Sequence, residues 1–289
     1  MTIAAILALI DGGPGGEGAL VTATQLGRAF DAYVEALHVR VDPETVIPVV
    51  AEGMSGAAIG QIMESTRQGA EQRAKEAKRI FADLAASESL PVIPAEQEPE
   101  AGRFTVAWTD VTGREAIETV VRGRLFDLTV VPRPEDDSAA GSIATLEAAL
   151  FDTGRPLLVA PPSPPAAAPR HLALAWNGTR EAARAVWSAR PFFALAERIS
   201  VITVIQDGWE ANPVELATYL ARHGVAAETH LVKLGDAEVG ERLLASAGEL
   251  GADLLAMGGY GHSRLRELVL GGATRSVLEQ ASLPVLMAH

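Results

Sequence analysis

The chain contains no cysteine, only three lysines, and aromatic residues at just 5% of its length. Without thiols there is no disulfide framework, no thiolate metal site and no cysteine nucleophile, a composition that fits a reducing cytoplasm. None of Lys75, Lys78 and Lys233 follows a glycine, so the GK[ST] of a phosphate loop is absent. HExxH and GxSxG are missing as well, and the six histidines do not cluster; even His223 and His230 stand seven apart. Long apolar runs are lacking too. The opening Ile3–Ile10 run is closed by Asp11 and has no basic residue before it. It is too short for a bilayer and wrongly flanked for a signal peptide, so it reads as a buried first strand of a soluble, cytoplasmic protein with no membrane partner. Basic charge is also scarce. Lys and Arg number 24 against 37 Asp and Glu, a net charge of −13, which argues against nucleic acid as a partner. Residues 1–165 carry 13 basic and 24 acidic residues and 166–289 carry 11 and 13, so the acidity belongs to the first half.

What is abundant is core. A 48% apolar fraction over 289 residues can bury a sizeable interior, and the length suggests two domains. The segment PPSPPAAAP, Pro161 to Pro169, has five prolines in nine residues, which forbids helix interior and sheet ladder alike and reads as a semi-rigid linker. It separates a unit of residues 1–160 from one of 170–289. The two units repeat one pattern. Apolar strands Ile6–Asp11 and Leu172–Asn177 open them. Helical segments near Ala19–Phe30 and Glu181–Ala196 follow, then strands Val34–Val41 and Ile199–Ile205. Phe126–Pro132 and Ala252–Gly258 come later, and proline-led strands Arg155–Ala160 and Leu283–Ala288 close them. Near-continuous apolar strands separated by helices are what a parallel sheet covered on both faces requires. The expected fold class is therefore α/β, with two tandem doubly wound parallel sheets about 165 residues out of phase. In the first unit, Ile59, Ile62, Met63, Ala70, Ala77, Ile80, Phe81 and Leu84 recur at helical spacing, opposite Arg67, Glu71, Lys75 and Lys78, as in a long crossover helix.

The richest segment runs from Met257 to His289. After the strand ending at Met257 come Gly258 and Gly261, then Gly271 and Gly272 before a helix at Thr274–Gln280. Glycines at a strand exit bring backbone amides within reach of a ligand, and a helix N-terminus favours an anion such as phosphate. Arg264, Arg266 and Arg275 against Glu267 make the stretch locally basic.

Gly258-x2-Gly261-x9-Gly271, with Thr274 soon after, resembles the ATP-binding signature of the universal stress protein family, and the tandem layout resembles its double-domain members. The resemblance implies five strands per sheet in the order 3-2-1-4-5, related by a pseudo-two-fold, with adenosine at the carboxyl ends of strands 1 and 4. It further implies Asn177 near base or ribose, Val204 offering backbone contact to adenine, and Gly258, Gly261, His262, Gly271, Gly272, Ala273 and Thr274 around ribose and phosphates. The implied ligand is ATP or another adenine nucleotide, with Mg on its phosphates. Two positions depart from the pattern. Gly272 stands where a Ser or Thr is usual, removing a hydroxyl contact, and Asn177 replaces an Asp, exchanging a carboxylate for an amide.

The first unit keeps Asp11 and Val39, but Pro132 and Pro134 replace the glycines and Glu135, Asp136 and Asp137 follow, so this unit is expected to have lost phosphate binding. Its role reads as that of an intrachain pseudo-dimer partner, with a further homodimer left open. A rival motif, Gly13-Pro14-Gly15-Gly16-Glu17-Gly18, matches the dinucleotide fingerprint GxGxxG, although Glu35 and Asp42 are poorly spaced for a ribose. The leading reading is a nucleotide-binding stress-response regulator without dedicated catalysis, any ATP hydrolysis being slow and incidental. The alternatives are a flavin- or nicotinamide-binding oxidoreductase using Gly13–Gly18 and a ligand-free interaction scaffold.

Overall fold

The computed structural model describes residues 2–44, 55–134, 140–164, 166–205, 211–259 and 272–289. The first half runs β1 (Ala5–Leu9), α1 (Pro14–Phe30), β2 (Tyr33–Val41), α2 (Gly56–Ser87), β3 (Thr105–Gly113), α3 (Glu115–Gly123), β4 (Leu128–Pro132), α4 (Ala140–Asp152) and β5 (Leu157–Ala160). The second runs β6 (His171–Ala175), α5 (Arg180–Ser188), a 3₁₀ turn (Arg190–Ala194), β7 (Arg198–Ile205), α6 (Pro213–Arg222), β8 (Glu228–Lys233), α7 (Val239–Leu250), β9 (Leu254–Gly258), α8 (Gly272–Gln280) and β10 (Val285–Ala288). Pro191 divides what the sequence suggests is one helix over Glu181–Ala196, because its ring denies the backbone an α-helical hydrogen bond there.

The ten strands among the described residues lie in one sheet, ordered β3-β2-β1-β4-β5-β10-β9-β6-β7-β8. Each half has the expected 3-2-1-4-5 order and is parallel throughout. The two sheets expected from the sequence are joined, because the last strands pair antiparallel, Val285 with Val159 and Met287 with Leu157. That pairing satisfies two strand edges that would otherwise be left open. Edge strands β3 and β8 have no counterpart among the strands read from sequence. β3 is buried only over its first three residues and β8 alternates between part-buried and exposed positions, so neither forms a long continuous apolar run.

The central strands are apolar because both faces are covered. On one face, Ile6, Ala8, Leu20, Leu26, Phe81, Leu174, Val186, Phe192 and Leu220 form a layer under α1, α2, α5, the 3₁₀ turn and α6. On the other, Leu7, Leu9, Leu146, Leu150, Leu243, Met257 and Val277 pack under α4, α7 and α8, and α3 packs beside α4. Alternate strand residues thus feed opposite layers.

The internal repeat holds at the level of single hydrogen bonds. Asp127 accepts the Ala4 and Ala5 amides at 2.8 and 3.1 Å. Asp253 accepts those of Arg170 and His171 at 2.9 and 2.8 Å. Beyond β1, Ile10 donates to Leu37 at 2.9 Å; beyond β6, Trp176 donates to Ile202 at 2.8 Å. Helix α2, at 32 residues, spans ~48 Å, longer than the sheet it covers. Its buried side chains, Ala70, Ala74, Ala77, Ile80 and Phe81, start only near its midpoint, while Ile59, Ile62 and Met63 stay part-exposed. Between the halves, the described residues of 161–170 adopt neither helix nor strand.

Candidate functional site

The order 3-2-1-4-5 creates a switch point beyond the carboxyl ends of β6 and β9, where neighbouring connections diverge and leave a crevice. The β6-to-α5 turn is built by Asn177, Gly178 and Thr179. Gly178 sits at φ +74°, a conformation that side chains rarely adopt. The Asn177 carbonyl oxygen accepts the Thr179 amide at 3.2 Å and the Thr179 hydroxyl at 2.8 Å. Thr179 Oγ1 in turn accepts the Ala182 amide at 3.2 Å, capping α5. Asn177 therefore has a structural task besides the ribose contact its position implies.

A shallow cleft lies against this turn, enclosing about 80 Å³, or about 450 Å³ with its open mouth. Asn177, Val204, Gly258 and Ala273 line it, four of the residues singled out from the sequence. Trp176, Ala175, Ala182, Ile202, Val239, Leu243 and Met257 complete the wall. Gly272 and Thr274 flank Ala273 at the opening turn of α8, where Thr274 is buried and Ser276 donates to the Gly272 carbonyl at 3.0 Å. Gly261, His262 and Gly271, with Arg264, Arg266 and Glu267, lie outside the described residues. The crevice is shallow and apolar, with a few polar groups at one rim.

Gly258 is required for a reason different from the one its motif suggests. A Cβ there would stand 2.6 Å from the Glu181 carbonyl carbon and 2.7 Å from the Ala182 nitrogen, so its missing side chain admits the backbone of α5. Likewise, a Cβ on Gly240 would stand 2.4 Å from the Ala273 carbonyl oxygen, which lets α7 and α8 close one wall of the cleft. The sequence reading missed the carboxylate of Glu238. It caps α7 in a reciprocal box with Glu241 and lies 3.6 Å from the Cβ position of Gly272, so the α8 end of the cleft is not uniformly basic. The spacing Glu238-x2-Glu241 before Leu243 is the readable signal.

The first half has the same turn with different contents. Asp11 accepts the Gly13 amide at 2.9 Å, and Gly12 takes φ +83°. His38 donates from Nδ1 to the Ile10 carbonyl at 2.7 Å, as Thr203 donates to Trp176 at 2.9 Å. The ladders place Leu9 opposite Leu37 where Ala175 faces Ile202, and Pro132 beside Ala160 where Gly258 stands beside Ala288. Two small residues of the cleft are thus large ones here. Helix α2 also crosses the turn. A Cβ on Gly12 would stand 2.5 Å from the Arg73 carbonyl oxygen. Next to this turn, burial pushes the Glu115 carboxyl up, with Asp11 adding to the rise, while the Thr145 hydrogen bond and Arg73 hold it back.

These contacts also correct the dinucleotide reading of Gly13–Gly18. Cβ atoms on Gly15, Gly16 and Gly18 would meet Pro132 Cβ at 3.0 Å, Asp11 Oδ1 at 2.7 Å and the Pro161 carbonyl oxygen at 2.4 Å. Asp11 already occupies the Gly13 amide. The run's glycines admit the chain's own atoms where a pyrophosphate would have to lie, so the geometry removes the basis for a flavin or nicotinamide there.

Among the described residues no group of three or more His, Asp or Glu is placed to hold a metal ion, and no helix is long and apolar enough to cross a membrane.

Comparison with known proteins agrees with this architecture. A universal stress protein from Archaeoglobus fulgidus superposes with a TM-score of 0.67 at 15% identity, over 98% of this chain and 95% of that one. A functionally unknown protein from Pseudomonas aeruginosa does so with a TM-score of 0.58 at 13% identity, over 99% and 92% of the two chains. At such identities the likeness is one of fold. Universal stress protein Slr1230 of Synechocystis is 42% identical over 67 residues, which make up 23% of this chain and only 22% of that relative's length. The family model described as the Universal stress protein family matches residues 160–289. That match covers the second half, and through it residues 160–289 are similar to the universal stress protein family.

Proposed function

We propose that the second half binds one adenine nucleotide, ATP in the first instance, and that the chain acts as a stress-response regulator in the cytoplasm rather than as a dedicated catalyst. The observation that carries this reading is the cleft itself. It sits at the switch point and is lined by Asn177, Val204, Gly258 and Ala273, the positions that the family signature implies. Base and ribose would lie against Val204, Ile202 and Asn177. Phosphates would reach toward the opening amides of α8 at Gly272 to Thr274 and the segment holding Gly261, His262 and Gly271. The residues present fit a nucleoside, because the small side chains of Ala175, Ala182 and Ala273 leave the crevice open for a base. A magnesium ion would neutralise phosphate charge near Glu238, with the phosphates as its main ligands.

The reading without dedicated catalysis is supported by the described lining, which is aliphatic, indole and amide, and by Glu238 at the α8 rim being engaged in capping α7. In the same reading the chain divides at residues 161–169 into two units, the first serving as an intrachain partner that covers the last strand of the second.

Isothermal titration of nucleotide-free protein with ATP tests the assignment beside a Gly261→Val and Gly271→Val double variant. Micromolar binding by the wild type and its loss in the variant are expected. Equal binding by both chains, or by neither, contradicts the assignment.

A further inference from the structure

The exit of β9 is gripped from several sides, and one grip comes from the other half of the chain. Gly259 extends the ladder by donating its amide to the Ala288 carbonyl at 2.9 Å. Its own carbonyl lies 3.1 Å from His289 Nδ1, which donates to it. The imidazole packs edge-on against Phe151, with ring centroids 4.7 Å apart and an interplanar angle of 85°. A Cβ on Gly259 would stand 2.8 Å from Leu150 Cδ2 and 3.3 Å from Met287 Cε. Leu150 and Phe151 form the last turn of α4, in the first half. On the other side, buried Glu181 and the first turn of α5 press on Gly258. Burial raises the Glu181 carboxyl, but the Arg180 hydrogen bond, its own backbone amide, the Arg180 charge and His289 bring it below the usual carboxylate range. The equivalent residue of the first half behaves differently. Arg133 makes the same ladder bond to Ala160 at 2.9 Å but sends its guanidinium out to the Ala281 carbonyl at 2.6 Å.

We propose that Leu150 and Phe151 of the first half, together with His289, are positioning residues for the cleft of the second half. By fixing Gly259 they set the strand exit from which the glycine loop departs, so affinity in one half depends on packing supplied by the other. This rests on the nucleotide reading of the cleft. None of the three lines the cleft, and their effect is transmitted through Gly258 and Gly259.

The test is titration of the nucleotide-free full chain with Mg·ATP, paired with NMR hydrogen exchange at the Gly259 amide. Phe151→Ala and His289→Ala are each expected to weaken ATP binding about fivefold and to speed that exchange. Thermal stability should hardly move, because Phe151 is 38% exposed. Gly259→Ala should weaken binding further, and adding Leu150→Ala should restore much of that loss by removing the methyl group the new Cβ meets. A generic packing role would make the two losses accumulate. Unchanged affinity and exchange in Phe151→Ala and His289→Ala, or additive losses in the double variant, overturn the proposal. If the wild-type chain binds no ATP, the nucleotide reading fails, and exchange at Gly259 then decides the clamp alone: faster exchange in the two single variants supports it, unchanged exchange overturns it.

Discussion

At the carboxyl ends of β1 and β6 the chain makes one turn twice, with an acidic or amide side chain holding the next amides and a glycine at positive φ in each case. The contents above the turns differ. In the second half Ala175 leaves a cleft, and Gly258 lets the backbone of α5 close against its rim. In the first, Leu9 and Pro132 fill the matching positions, and α2 lays the Arg73 carbonyl over Gly12. A doubly wound unit offers a switch point by topology alone, and whether that point becomes a site is decided by a few side-chain volumes and one helix path.

Exchanging those contents breaks the comparison most severely in the first half. Leu9→Ala with Pro132→Gly removes buried volume under α4 and should cost about 3 to 5 kcal/mol of stability, read as a lower denaturant midpoint. It should create no ATP site, because the α2 backbone still covers Gly12. ATP binding by a chain carrying these changes in an Ala175→Leu background would show that side-chain volume alone separates the halves. The opposite exchange, Ala175→Leu, places a first-half side chain in the second-half cleft. It should weaken ATP binding about fiftyfold, or ~2.3 kcal/mol, in a titration, with the thermal midpoint little changed because the added methyls enter open space.

Asn177→Asp gives the β6 turn the acid of β1. Both Thr179 hydrogen bonds survive and become charge-assisted next to the α5 N-terminus, so a gain of ~0.5 to 1 kcal/mol is expected in chemical unfolding at neutral pH. The smallest effect concerns Glu115. Its carboxyl is raised in the folded state, so folding favours the protonated form. The stabilisation is complete below the unfolded pKa and is lost as pH rises through the folded one. Glu115→Gln should therefore raise the thermal midpoint slightly at pH 7 and leave it unchanged at pH 3.5 to 4. A shift of equal size at both pH values would contradict the burial argument.

Much of this was legible in the sequence because it depends on local pattern. Apolar runs such as Leu172–Ala175 and Val201–Ile205 announce strands covered on both faces, and the repeat of such runs announces two units. Asn177, Val204, Gly258 and Ala273 were implied by the family resemblance and line the cleft. The remainder depends on long-range packing. β3 and β8 are edge strands, largely part-buried or exposed and rich in polar residues, so their sequences imitate loops. The antiparallel pairing of β5 with β10 arises from two edges more than 120 residues apart. The passage of α2 over Gly12 is a contact between a turn and a helix about 60 residues later, and neither segment encodes it alone. Gly258 was recognised for its motif, but its neighbour in space is the backbone of α5, which spacing cannot show. The small residue at Ala175 against Leu9 was readable from the repeat once the strands were aligned.

Counting sites tests the contrast between the halves most directly. Equilibrium dialysis of nucleotide-free full-length chain against labelled ATP, with Ala175→Leu alongside, should give one site per wild-type chain, filled about fiftyfold more weakly in the variant. Two sites per chain, or one whose affinity Ala175→Leu leaves unchanged, would place the nucleotide elsewhere and contradict the assignment of the second-half cleft.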